Sequence, residues 1–450
     1  MALKKAKPVK KTRTIKAAKK AKPTKISEKD FKKALEIGRP PNIKKLFPNS
    51  QALIVSGKVI DRALLAKGKA MTIAANGRNN LVIKGVLKAA QRANAAIIIE
   101  IAKSEGGASA YCATNYWNLA RQVDQAMNEM GITVPVAIHA DHYGIKGPKD
   151  VETAQVEIPT MFEAGITSIA IDASHMPDAD NLLASIELNK YVPKWAGLET
   201  EVGEIKGKEG LSTVEEALFL IQGLNANGIS PDWIALNNGT AHGIQTSDQG
   251  IQVGLTSEIH QALKRYKVSG AQHGTSGNDS ERLRRITKET LTTKANVATA
   301  LQMLTWGVKV NDYGNAVLNK AGNFVKQRDK GVTPALWKEM VAYAGQQGWK
   351  GGNFKKLNLP FENKIMSQPK TIRDRSEKAV ADFVYGLLTK VFNAKDTAPL
   401  GVKAILKAGS YNPGPKAKRI EKKAEWTPAK IRKKGAAIES DKGPAGDFDD

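Results

Sequence analysis

From residue 70 onward, short apolar runs alternate with longer stretches whose apolar residues recur every three or four positions. The runs at 70–76, 95–101, 134–140, 167–172, 197–202, 233–238 and 268–272 are rich in Val, Ile and Ala. They are uniformly apolar rather than alternating, which predicts strands covered on both faces. Between them, 79–94, 113–130, 150–164, 179–191, 212–225 and 256–265 carry helical spacing, with Asn79 or Asn80 suited to cap the first. A longer helical region over 279–306 is expected to lead into an eighth strand at 307–311. Eight strand–helix units over roughly 250 residues predict an α/β fold, a (β/α)8 TIM barrel. An open doubly wound sheet is the structural alternative, but it gathers ligand residues near one switch point. Here polar residues follow at least six of the strand ends.

The pattern divides the 450-residue chain. Residues 1–27 read as a disordered polybasic arm, 28–66 as a helical lead-in and 67–315 as the barrel. A C-terminal helical extension is expected over 316–400, with helices at 334–346 and 371–393, then a basic, largely disordered tail over 401–450. The net charge of +25 belongs mostly to the ends: residues 1–25 hold eleven Lys or Arg and no acid. Residues 411–434 hold nine more against Glu421 and Glu425. The arm has no apolar segment of the kind a secretory signal carries. It is either a solvated tail or a weak binder of polyanions such as nucleic acid. No aromatic residue interleaves with its charges, so base stacking is not expected. No run approaches the ~18 apolar residues of a membrane span. A single cysteine, Cys112, excludes an internal disulfide and suits a reducing cytosol, so a cytoplasmic location is expected.

Chemistry concentrates at the strand tips. The segment VPVAIHADH (134–142) opens as a strand and ends in imidazole, carboxylate and imidazole within four positions. His142, His242 and His273 end the third, sixth and seventh strands, and a closed barrel brings those ends to one mouth. Three neutral imidazoles with an open position suit a catalytic Zn2+; three ordinary polar strand ends are the plainer account. Asp141, next to His142, points differently in extended backbone and can work as an acid or base, or instead hydrogen-bond a ligand histidine. His139 suits a supporting role, His175 could orient the site through Asp172 or Ser174, and His260, within a helix, is expected at the surface. The glycine-rich HGTSG (273–277) exposes backbone N–H groups and the Ser276 hydroxyl, fitting a phosphate near strands seven and eight, with Asn311 beside it. The glycine-flanked segment 203–210 is either a mobile loop carrying Glu209 to a substrate or a solvated loop.

At these residues the chain resembles the class II, zinc-dependent fructose-bisphosphate aldolases. The likeness runs from about Asp61 to Asn311. It is carried by VPVAIHADH, SEGGAS (104–109), AGITSIAIDASHMPDADN (164–181), LETEVGEIKGKEG (198–210), NNGTAHG (237–243), HGTSG and KVN (309–311). The resemblance implies that His142, His242 and His273 bind zinc, with Glu201 near the metal. It implies that Asp141 serves the C4 oxygen and that Glu209 moves the substrate proton. It makes Ser104 and Asn311 substrate contacts, and Gly243, Gly274 and Ser276 parts of the phosphate and monovalent-cation loops. The implied reaction is aldol cleavage of fructose 1,6-bisphosphate to dihydroxyacetone phosphate and glyceraldehyde 3-phosphate, in a homodimer or homotetramer. Another ketose bisphosphate (tagatose or sedoheptulose), or a non-catalytic sugar-phosphate- or polyanion-binding barrel, is the alternative. The family continues N-x-D-[ST]-D after its last strand, where this chain has Asn311-Asp312-Tyr313-Gly314-Asn315. Arg373 and Arg375 are candidates for the distal phosphate.

Overall fold

Strands with no face left for water must be wrapped by helices, and closure into a cylinder removes their edges. The structure, a computed structural model, describes residues 26–107, 110–203, 210–239, 250–312 and 314–438. Its eight strands are β1 (Thr72–Asn76), β2 (Ile97–Ala102), β3 (Val136–Gly144), β4 (Ser168–Asp172), β5 (Gly197–Val202), β6 (Trp233–Leu236), β7 (Ser269–Gln272) and β8 (Thr292–Val297). All neighbours are parallel, and β8 pairs with β1 to close a TIM barrel.

The eighth strand corrects the sequence reading. It is TTKANV, not residues 307–311, and its helix Thr299–Trp306 ends the barrel. Val308 and Val310 instead form isolated antiparallel bridges to Lys326 and Ala316. β8 escaped notice because its alternate residues, Lys294 and Asn296, are polar. In a strand, residues two apart share a face, and this face points into the barrel. β5 shows the same device with Glu199 and Glu201, and β3 with His139 and Asp141.

The lead-in closes the N-terminal end of the barrel. Helix Gly57–Lys67 starts on the Ser56 cap and stops at Gly68, where φ is +71°. It packs so closely that a Cβ on Gly57 would lie 2.5 Å from Ser168 Oγ. Asp61 accepts from Thr293 Oγ1 at 2.8 Å, and Lys58 pairs with Asp232 at 3.0 Å. On the barrel's flank, helix Lys370–Gly386 lies against helix Asn80–Ala93. There Gly85 allows close approach, since a Cβ would meet Val380 at 2.6 Å.

The tail also departs from expectation. Through residue 438, instead of being largely disordered, it completes helix Ala398–Ala408 and then runs beneath the barrel to helix Pro428–Gly435. Among its lysines, Trp426 and Ile431 are buried, and burying an Ile contributes roughly 1.5–3 kcal/mol. Lys416 reaches the buried polar cluster at the barrel base, 2.7 Å from Asp61 Oδ2 and 2.8 Å from Ser269 Oγ. A separate apolar cluster of Trp306, Phe324, Leu336, Met340, Phe361 and Ile365 supports the segment that follows the barrel. Leu359 N donates to Tyr111 O at 2.9 Å, tying that segment to the loop after β2.

Candidate active site

The tip of β3 is not extended. The register against β4 shifts between Ala140 and Tyr143, and His142 has φ +41°. A left-handed histidine costs on the order of 1 kcal/mol, and such bulges re-aim side chains beside active sites. Here the result is that Asp141 and His142, sequence neighbours, both line one cavity of about 300 Å³. Simple alternation would have separated them.

Across the cavity stands His273, at the end of β7. Its ring is perpendicular to that of His142, with centroids 4.1 Å apart, and His273 Nδ1 faces His142 Nε2 at close range. The far nitrogens are held by carboxylates. His273 Nε2 lies 2.9 Å from Glu199 Oε1; His142 Nδ1 lies 3.2 Å from Glu201 Oε1 and 3.4 Å from Asp172 Oδ2. A carboxylate partner places the ring N–H on its own side. Two lone pairs then face one another, an arrangement that repels unless a cation sits between them. The ligand atoms of Asp141, His142 and His273 all lie within 4.8 Å of one another. The donor set therefore fits a divalent metal with imidazole ligands and carboxylate-oriented rings.

The electrostatics are graded. Burial would raise the pKa of Asp141, but Lys294 and the imidazoles of His142 and His273 outweigh it and hold the carboxyl well below its usual range. Glu199 is likewise lowered to about 2, burial being overcome by Lys294 and His273. Burial, then Asp172, pushes Glu201 up to about 8. His139 is forced neutral, to about 3, chiefly by burial and then by Lys294; its Nδ1 lies 2.9 Å from Ser168 Oγ. Lys294 is completely buried, yet Glu100, Glu199 and Asp141 raise its pKa against the cost of burial. A lysine kept charged in this way is no amine nucleophile, so Lys294 does not suit a Schiff base.

The other expected residues fall variously. Gly274 and Ser276 line the cavity with Thr275. After β2 the turn Lys103–Gly106 brings Glu105, rather than Ser104, into the cavity wall. Glu209, His242 and Gly243 lie outside the described residues, as does the 1–25 arm. Asn311 is not at a strand end: it sits in the bridged segment after the barrel, where its Oδ1 accepts from Asn315 N at 2.9 Å. Its expected place belongs to Asn296, on the cavity wall, whose Nδ2 donates to Asp141 Oδ1 at 2.8 Å. The family pattern then falls on Asn296-Val297-Ala298-Thr299-Ala300: the hydroxyl is kept and both acids are alanine. His260 is buried rather than at the surface, its Nδ1 accepting from Leu291 N at 3.1 Å. His175 is exposed, its charge acts on Asp172, and Ser174 Oγ donates to Asp172 Oδ1 at 2.6 Å. Arg373 and Arg375 bind the backbone carbonyls of Met366, Gly331 and Val332. Sequence reasoning missed Arg78, Lys350 and Lys355, which line the cavity. Only Arg78, two residues past the end of β1, had a positional signal.

The fold and site define a class: a (β/α)8 barrel with a metal-type cluster at the C-terminal ends of its strands. The family model "Fructose-bisphosphate aldolase class-II" matches residues 58–349, and the chain belongs to that family, whose members are metal-dependent. A fructose-bisphosphate aldolase of Streptococcus pneumoniae is 30% identical over 236 residues, 50% of this chain and 72% of the relative. One from Staphylococcus aureus is 33% identical over 133 residues, 29% of this chain but only 42% of the relative. Among solved structures, the fructose-bisphosphate aldolase of Campylobacter jejuni superposes with a TM-score of 0.51 at 17% identity, covering 77% of this chain and 97% of that one. The YdjI aldolase of Escherichia coli K12 gives 0.50 at 17% identity, covering 77% and 99%. At such identity these two speak for the fold alone.

Proposed function

We propose that the protein is a zinc-dependent aldolase that cleaves and forms fructose 1,6-bisphosphate, a cytosolic step of sugar breakdown and synthesis. The observation that carries this reading is the pair of facing, carboxylate-oriented imidazoles of His142 and His273 with Asp141 beside them. His142, His273 and the sequence-assigned His242 would hold the ion, with Glu201 close by. Bound there, it would polarise the carbonyl of the dihydroxyacetone phosphate half and stabilise the charge that develops on its oxygen.

The chain's own residues supply the rest. Ionised Asp141 takes the proton of the C4 hydroxyl as the C3–C4 bond breaks, and returns it in condensation. Glu209 carries the proton at the carbon left with the electron pair. Gly274, Thr275 and Ser276, with the sequence-assigned Gly243, cradle the phosphate of that half, with or without a monovalent cation. Asn296 holds Asp141 in place. Lys350 and Lys355, which line the same cavity, supply the cationic contacts for the distal phosphate. The alanines at 298 and 300 alter the phosphate-loop end, which bears on which ketose bisphosphate fits best. No helix among the described residues is long and apolar enough to cross a membrane. The test combines metal analysis with a cleavage assay across fructose, tagatose and sedoheptulose bisphosphates. Stoichiometric zinc and chelator-sensitive cleavage of fructose 1,6-bisphosphate are expected; cleavage untouched by metal removal would overturn the reading.

A further inference from the structure

Outside the cavity lining, a completely buried lysine stands that the proposed chemistry does not use. Lys294 lies on β8 with no solvent exposure, and its Nζ crosses the barrel interior to three other strands. It stands 2.9 Å from Glu199 Oε2 on β5, 3.2 Å from Glu100 Oε2 on β2 and 3.3 Å from Asp141 Oδ1 on β3. The imidazole of His139 completes its surroundings, with Nε2 3.6 Å from the same Glu199 oxygen and 3.8 Å from Asp141 Oδ1.

Each contact constrains something at the mouth. Asp141 Oδ1 is engaged by both Lys294 and Asn296 Nδ2, which leaves the other oxygen for the cavity that Asp141 lines. Glu199 is divided: Oε2 faces Lys294 while Oε1 holds His273 Nε2. One ammonium thus grips the carboxylate that serves the substrate and the carboxylate that orients a metal-type histidine. Removing it leaves like charges close together in a low-dielectric interior, where they repel strongly and turn apart. The rest of β8 (Thr292, Thr293, Ala295, Asn296 and Val297) carries no cation, so no neighbour on the strand replaces it.

We infer that Lys294 is the positioning residue of this site, fixing Asp141 directly and His273 through Glu199, so that proton transfer and metal affinity depend on one buried side chain. The inference rests on the aldolase reading for Asp141, but its metal arm does not. In a folded Lys294→Met variant, cleavage should slow by roughly 10²-fold, within the range of losing a general acid or base, while KM changes little. Zinc affinity, measured by chelator competition, should weaken by roughly tenfold, as when the partner of a ligand histidine is lost. Lys294→Arg keeps the charge and should recover part of both. A cycle with Asp141→Asn separates positioning from general destabilisation: Lys294→Met should add little to Asp141→Asn, because it acts through that carboxylate. If Lys294→Met does not fold, Lys294→Met combined with Glu100→Gln removes the ammonium together with one of the buried carboxyls it faces and is read in the same way. Weakened zinc binding in a protein that cleaves no bisphosphate would retain the histidine arm and reject the aldolase reading. Wild-type zinc affinity, or rate losses fully additive with Asp141→Asn, would overturn the inference.

Discussion

Replacing Asp141 with Asn tests the acid–base assignment with little change of shape. The amide fills the same volume, and its oxygen can still face Asn296 Nδ2, now 2.8 Å from the carboxylate, and Lys294 Nζ at 3.3 Å. What is lost is the charge and the ability to take a proton. Weakening a hydrogen bond to a charged group costs about 1.5–3 kcal/mol, which a barrel of this size survives. Losing a general base costs ~10²–10⁴ in rate, equivalent to about 3–5 kcal/mol of barrier. The loss should fall unevenly. Cleavage of the bisphosphate needs the C4 proton removed, so it should show the full effect. Solvent hydrogen exchange into dihydroxyacetone phosphate does not involve C4, so it should stay within about tenfold of wild type. Deuterium incorporation followed by NMR, beside a coupled assay of cleavage, measures both. If exchange and cleavage fall together, or cleavage falls less than tenfold, Asp141 does not serve C4 and its part is structural.

Three further outcomes follow from other parts of the structure. Lys350→Ala and Lys355→Ala should each raise KM for the bisphosphate by roughly tenfold, the loss of one charge-assisted contact, while exchange into dihydroxyacetone phosphate is spared; unchanged KM in both would remove that wall from the site. His260 is held neutral by burial down to about pH 4, whereas an unfolded histidine protonates near about 6.5. Its contribution is therefore fully present above about 6.5 and is lost as pH falls toward 4, on the order of 3 kcal/mol in all. His260→Asn should flatten that part of the stability–pH curve in urea titrations, and an unaltered slope would refute the assignment. Lys416→Met leaves Asp61 and Asp232 with only Lys58 and Arg62, and should lower stability by about 3 kcal/mol without changing zinc content; an unshifted urea midpoint would show that the tail's insertion beneath the barrel contributes nothing.

The alternation of apolar runs and helical stretches was enough to place seven of the eight strands, because strands buried on both faces need an unbroken apolar composition that helices do not share. VPVAIHADH also marked a cavity wall, since an apolar core has no use for two imidazoles and a carboxylate at a strand tip, and Asp141 and His142 line the cavity. β8 was hidden by the same logic: Lys294 and Asn296 break its apolar run, and only the closed barrel shows that their face turns inward, where Glu100, Glu199 and Asp141 balance them. With β8 misplaced, Asn311 stood where Asn296 belongs. The tail was read from its lysines, whereas Trp426 and Ile431, two apolar side chains in a charged segment, anchor it. The turn at His142 likewise depends on the bulge against β4, and the wall formed by Lys350 and Lys355 depends on a segment that folds back over the barrel mouth. Spacing along the chain reports what each residue's own backbone makes of it. Which buried charges meet, and which distant lysines share a cavity with Asp141, is decided by strand register and barrel closure, which bring together residues more than a hundred positions apart.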